Sequence, residues 1–169
     1  MKTKIAVLAI PAAVAATALG IALAAPGGDQ RSIERGRYLV TVSGCNDCHT
    51  AHYMEKGGQV PEAEWLAGGP VGFQGPWGTT YPANLRLVMQ SLSEEAWLKK
   101  AHSPMRPPMP WFNLAQMTDD DLRAMYRYVR SLGATGAPAP AYVAPGEKVS
   151  TPYFVFVPQN LPPQTQAAK

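Results

Sequence analysis

Two thiols and an imidazole within five residues, Cys45-Asn46-Asp47-Cys48-His49, constrain this chain more than any other feature. Thiols three positions apart can each form a thioether to one of the two vinyl groups of a haem. The histidine directly after the second thiol can then stand beneath the iron as its proximal ligand. This spacing is the attachment signature of c-type haem, and it uses both cysteines of the chain.

Other readings of the pair fit less well. A thioredoxin-like dithiol needs a strand before the first cysteine and a βαβ context, whereas here a helical pattern and a Gly-rich loop flank it. A zinc site drawing on His52 or His102 lacks a second paired-ligand knuckle, and adjacent Cys48 and His49 rarely reach one metal together. A disulfide across two residues is strained.

The N-terminus reads as an export signal. Lys2 and Lys4 form a basic start, Ile5 to Ala25 is apolar and alanine-rich, and Ala22-Leu23-Ala24 offers a small-x-small cleavage pattern. The apolar run is about long enough to span a bilayer, so an uncleaved anchor is the alternative. Pro11, Gly20 and the absence of a basic stop-transfer cluster favour cleavage. The expected organisation is a signal peptide at 1–24, one domain at 25–133 and a Pro-rich extension at 134–169, with periplasmic location. Membrane association is expected only if the signal is retained. Removing 1–24 lowers the basic count from 15 to 13 against 12 acids, and no basic stripe interleaved with aromatics suggests nucleic acid.

The 17 prolines and 15 glycines imply long loops ordered by a large central ligand rather than by a sheet. Arg31 to Ser43 has helical spacing, with Ile33, Tyr38, Leu39 and Val42 on one face and Gly44 as the stop. From Thr50 to Leu85 the pattern dissolves into turn signals, which need something to pack on. Ser93 predicts a cap for a helix ending near His102, and prolines at 104, 107, 108 and 110 then forbid helix. Thr118-Asp119-Asp120-Asp121 opens the strongest helix, with Leu122, Met125, Tyr126 and Val129 at i, i+3, i+4, i+7 and Gly133 beyond it. Tyr153 to Val157 predicts a strand or an extended segment laid along the body.

The order helix, C-x-x-C-H, loop, short helix, Pro-rich methionine segment, final helix resembles the class I c-type cytochromes over roughly Gln30 to Gly133. Gly36 and Tyr128 match the glycine and aromatic where the first and last helices of that family cross. Gly75-Pro76-Trp77-Gly78, Tyr81-x-x-Asn84-Leu85 and Pro108-Met109-Pro110-Trp111 are most similar to cytochrome subunits and domains associated with bacterial dehydrogenases. The resemblance implies an all-α, cytochrome c-like fold: about three to four helices around one covalently bound haem, with long loops and an extended tail.

A thioether on the sixth position of the iron raises the potential relative to bis-histidine ligation and closes the iron to substrates. Met54 lies too close to His49 to cross the haem, Met117 and Met125 suit a core, and Met89 precedes the short helix. Met105 and Met109 remain, and thioether chemistry suits either. The resemblance points to Met109. His52 reads as a loop residue, and His102 as a cation at a helix C-terminus. Trp77, Tyr81, Asn84 and Trp111 suit core or turn roles as well as haem contact, and stand outside the expected ligand set.

The resemblance therefore implies an exported monohaem protein that transfers single electrons and is not itself an enzyme. A dehydrogenase is the expected donor, and an oxidase or another cytochrome the acceptor. Two alternatives remain open: a subunit of a larger periplasmic dehydrogenase complex, and a haem enzyme or gas sensor with a labile sixth ligand. No G-x-S-x-G or phosphate loop competes with these.

Overall fold

The computed structural model describes residues 28–159, so the expected signal segment lies outside the described residues. Six helices carry the body: α1 (Gly28–Val42), α2 (Cys45–His49), α3 (Leu85–Ser91), α4 (Glu94–Ala101), α5 (Trp111–Ala115) and α6 (Asp119–Ser131). Among the described residues, no helix is long and apolar enough to cross a membrane.

The most extensive helix contact joins α1 to α6, and Gly36 makes it possible. A methyl group added there would sit 2.0 Å from the Ala124 carbonyl oxygen and 2.7 Å from Tyr128 Cβ. With no side chain in the way, α6 packs directly on the backbone of α1. The covered stripe of α1 is Gly36, Leu39 and Val40, at i, i+3 and i+4. This corrects the expected face: Tyr38 and Val42 are 56% and 58% exposed. On α6 the expected stripe holds, with Leu122, Met125, Tyr126 and Val129 all buried.

Capping follows the side-chain chemistry. Ser93 Oγ accepts from Ala96 N at 3.2 Å, and Thr118 Oγ1 accepts from Asp121 N at 3.2 Å. Gly44 adopts φ 68°, a left-handed conformation that ends α1 and starts α2. The Asn84 cap of α3, accepting from Leu87 N at 3.1 Å, was not anticipated. Nor was α5, which starts as soon as the prolines end.

The segment expected to be irregular also carries a small sheet. β1 (Gly72–Gly75) and β2 (Gly78–Thr80) form an antiparallel hairpin around Pro76-Trp77, with Phe73 opposite Thr80. The Tyr153 to Val157 region contributes β3 (Tyr153–Val155), which lies parallel to β1 in the order β2-β1-β3. Its backbone is paired, but Tyr153, Phe154, Val155, Phe156 and Val157 remain between 42% and 60% exposed.

Other bonds tie the returning chain to the body. Asn84 Nδ2 donates to the Thr135 and Ala137 carbonyls, Val143 and Thr79 exchange backbone hydrogen bonds, and the Tyr81 and Thr151 hydroxyls meet at 2.7 Å. Arg86 is buried, with no carboxylate partner among the described residues. It donates to the carbonyls of Ala63, Leu132 and Gly133, the last two at the C-terminus of α6, where a cation is favourable.

Candidate functional site

A cavity of about 790 Å³ opens between these elements. α2 places Cys45, Cys48 and His49 on its wall, and the Pro-stiffened loop before α5 places Met105 and Met109 there. The rest of the lining is largely aliphatic and aromatic. Val40, Leu85, Met89, Trp97, Leu114 and Val129 are among its members. Volume and chemistry suit a large flat apolar cofactor.

His49 is held as a metal-binding imidazole needs to be. Its Nδ1 lies 2.7 Å from the Ala83 carbonyl oxygen, so that nitrogen carries the proton and Nε2 is left to bind a metal. Burial lowers the imidazole pKa below its ordinary 6.5, and the Ala83 bond opposes this only in part. The neutral form, the one that ligates, is therefore favoured. Its own carbonyl accepts from Gly68 N at 2.8 Å, fixing α2 to the following loop.

Cys45 is half-buried and Cys48 exposed, and no disulfide joins them. Burial, helped by the Asp47 carboxylate, pushes the Cys45 thiol up to about 11. The same two causes raise Cys48. Asn46 is buried behind them, its Oδ1 accepting from Thr50 Oγ1 at 2.7 Å. That Thr50 oxygen in turn accepts from Leu66 N at 2.8 Å. Asn46 Nδ2 has no partner among the described residues. The Ala83 carbonyl and this network escaped sequence reading, since their partners lie far apart in the chain or on the backbone.

The remaining candidates separate clearly. Met54 is 64% exposed and off the wall, whereas Met89 and Met125 are buried and line the cavity beside Met105 and Met109. His52 pairs with Glu55 at 2.5 Å and His102 with Asp119 at 3.0 Å, and neither reaches the cavity. Of Trp77, Tyr81, Asn84 and Trp111, only Tyr81 lines it. Among the described residues, no three His, Cys, Asp or Glu side chains converge as an ion-binding cluster.

An apolar cavity walled by a C-x-x-C-H helix and a methionine loop, under crossed first and last helices, defines a c-type haem protein. The chain belongs to the cytochrome c family, whose model matches residues 33–133. It is an electron-transfer protein of the kind that holds haem c covalently.

Among curated proteins, it is 29% identical over 115 residues to the alcohol dehydrogenase (quinone) cytochrome c subunit of Gluconobacter oxydans (strain 621H). That match covers 62% of this chain and 22% of the relative. The corresponding subunit of Gluconacetobacter polyoxogenes is 28% identical, covering 64% of this chain and 24% of the relative. The fructose dehydrogenase cytochrome subunit of Gluconobacter japonicus is 26% identical, covering 64% and 23%. The chain thus spans less than a quarter of the length of these relatives. No solved structure gives a significant match.

Proposed function

We propose that this chain is an exported carrier of single electrons with one haem c. Cys45 and Cys48 would hold the haem through thioethers, His49 would ligate the iron through Nε2, and Met109 would supply the second iron ligand. When bound, the haem supplies a one-electron Fe(III)/Fe(II) couple. The chain's own residues do the rest. Ala83 orients His49, the apolar wall excludes water, and the prolines around Met109 restrict its loop so that a thioether stays in place.

The observation that carries this reading is that α2 and the methionine loop face one cavity. Export rests on the basic start and apolar run of residues 1–24, with 25–133 as the haem domain and 134–169 as its extension. The test is maturation in a cytochrome-competent host. Haem that survives acid-acetone extraction and migrates with the chain on a denaturing gel is expected. A colourless product with two titratable thiols would end the reading.

The names of the relatives favour a second reading, in which the chain serves as a cytochrome subunit of a periplasmic dehydrogenase complex. The dehydrogenase would then be the donor, and an oxidase or another cytochrome the acceptor. Co-purification of haem with dehydrogenase activity from native extract separates the two readings. Carbon monoxide binding to the native ferrous protein would instead revive a labile sixth site.

A further inference from the structure

Two cations on the cavity wall have no part in the reading above. Lys100 and Arg106 are the charged residues among the described lining, and no carboxylate lines it. Neither pairs with a carboxylate among the described residues. The lining hydroxyls are already engaged: Thr80 with the Pro107 carbonyl, Tyr81 with Thr151, and Tyr142 with the Trp77 carbonyl.

Arg106 is placed by the returning chain, its guanidinium carbon 4.2 Å from the centre of the Tyr142 ring. Contact with a ring face steadies the cation but leaves N–H donors for an anion. A haem tied by its vinyl positions to Cys45 and Cys48 carries two carboxylates elsewhere on its rim. A carboxylate brought against an apolar wall without a partner is costly. The wall offers cations in two places, and one of them is aligned by an aromatic ring.

We propose that Arg106, positioned by Tyr142, binds a carboxylate of the haem, so that the segment after α6 helps hold the cofactor. This rests on the haem reading of the cavity and deepens it. A cation there also raises the potential, because it opposes the extra positive charge of the ferric state. Tyr142 is a positioning residue and acts through Arg106.

The experiment uses the full chain, matured with haem, and reads the midpoint potential at pH 7 by spectroelectrochemistry. Arg106→Gln should lower the potential and Arg106→Lys should restore most of it. Tyr142→Leu should lower it in the same direction, and the Tyr142→Leu, Arg106→Gln double variant should fall no further than Arg106→Gln. A haem-loaded Arg106→Gln protein with the wild-type potential overturns the inference, as does Arg106→Lys falling as far as Arg106→Gln. Wild-type protein without covalent haem would overturn the cofactor reading itself, so the two failures are distinguishable.

Discussion

At His49 a single hydrogen bond decides which ring nitrogen is offered to a metal. The Ala83 carbonyl takes Nδ1, and Nε2 remains. Met105 and Met109 share the cavity wall with His49. Met109→Ala should abolish the weak near-infrared methionine-to-iron band, lower the potential and admit exogenous ligands, with covalent attachment intact. The same changes in Met105→Ala instead would transfer the role to Met105. Cys48→Ser should mature poorly or through one labile thioether, read as haem lost on a denaturing gel. The thiols and His49 were legible because their chemistry is written in five adjacent residues. The Ala83 carbonyl was not, since a backbone acceptor 34 residues away leaves no trace in side-chain identity.

At the scale of elements, the α1–α6 crossing concentrates the constraint. Gly36→Ala gains roughly 0.5–1 kcal/mol of helix propensity. It also drives a methyl group into the Ala124 backbone, which cannot swing aside as a side-chain tip can. Overpacking costs typically about 1–3 kcal/mol, so the clash wins and the melting temperature should drop. Thr118→Ala should cost about 1 kcal/mol in denaturant unfolding, the usual loss for an N-cap.

Glu62 links the same pair of helices, accepting from Tyr128 Oη at 2.7 Å and Arg37 Nε at 3.0 Å. The Tyr128 bond foremost, and then Arg37, hold its pKa below the ordinary 4.5. A depressed carboxyl stabilises the fold above that value and ceases to as pH falls through its folded pKa. Glu62→Gln should therefore flatten the decline of melting temperature below about pH 4.5. The two capped helices were legible because caps and periodicity are local. Hydrophobic patterning misplaced Tyr38 and Val42 on the buried face of α1, because a glycine, which such patterning does not see, is the contact point. The family resemblance had marked Gly36 and Tyr128 as that crossing.

For the whole molecule, the segment after α6 belongs to the cavity as well as to the surface. Pro140 and Tyr142 line the cavity, Val143 bridges to Thr79, and β3 extends the hairpin. Truncation after Gly136 should lower the melting temperature and loosen the haem pocket, seen as a weaker Soret circular dichroism signal. The loss should stay below the roughly 1.5–3 kcal/mol per side chain expected for full burial, because Tyr153, Phe154 and Phe156 are half exposed. Unchanged stability would mean that this segment serves a partner instead. The sequence marked Tyr153 to Val157 as extended but could not supply its neighbour, since parallel pairing with β1 depends on how the whole chain returns.

That return sets an order of assembly. Gly72 meets Tyr153 across 81 intervening steps of chain, while the helices form from local contacts. Distant pairings carry the larger loop-closure cost and tend to come late in folding. During synthesis residues 140–155 also follow α1 and α6 in the chain. Cys45 and Cys48 would then be presented on a nearly finished scaffold whose last wall has yet to swing in, giving the attachment machinery its interval of access. Pulse-labelled hydrogen exchange during refolding should find the amides of 153–155 protected after those of α1 and α6. Simultaneous protection would mean that the wall closes with the rest.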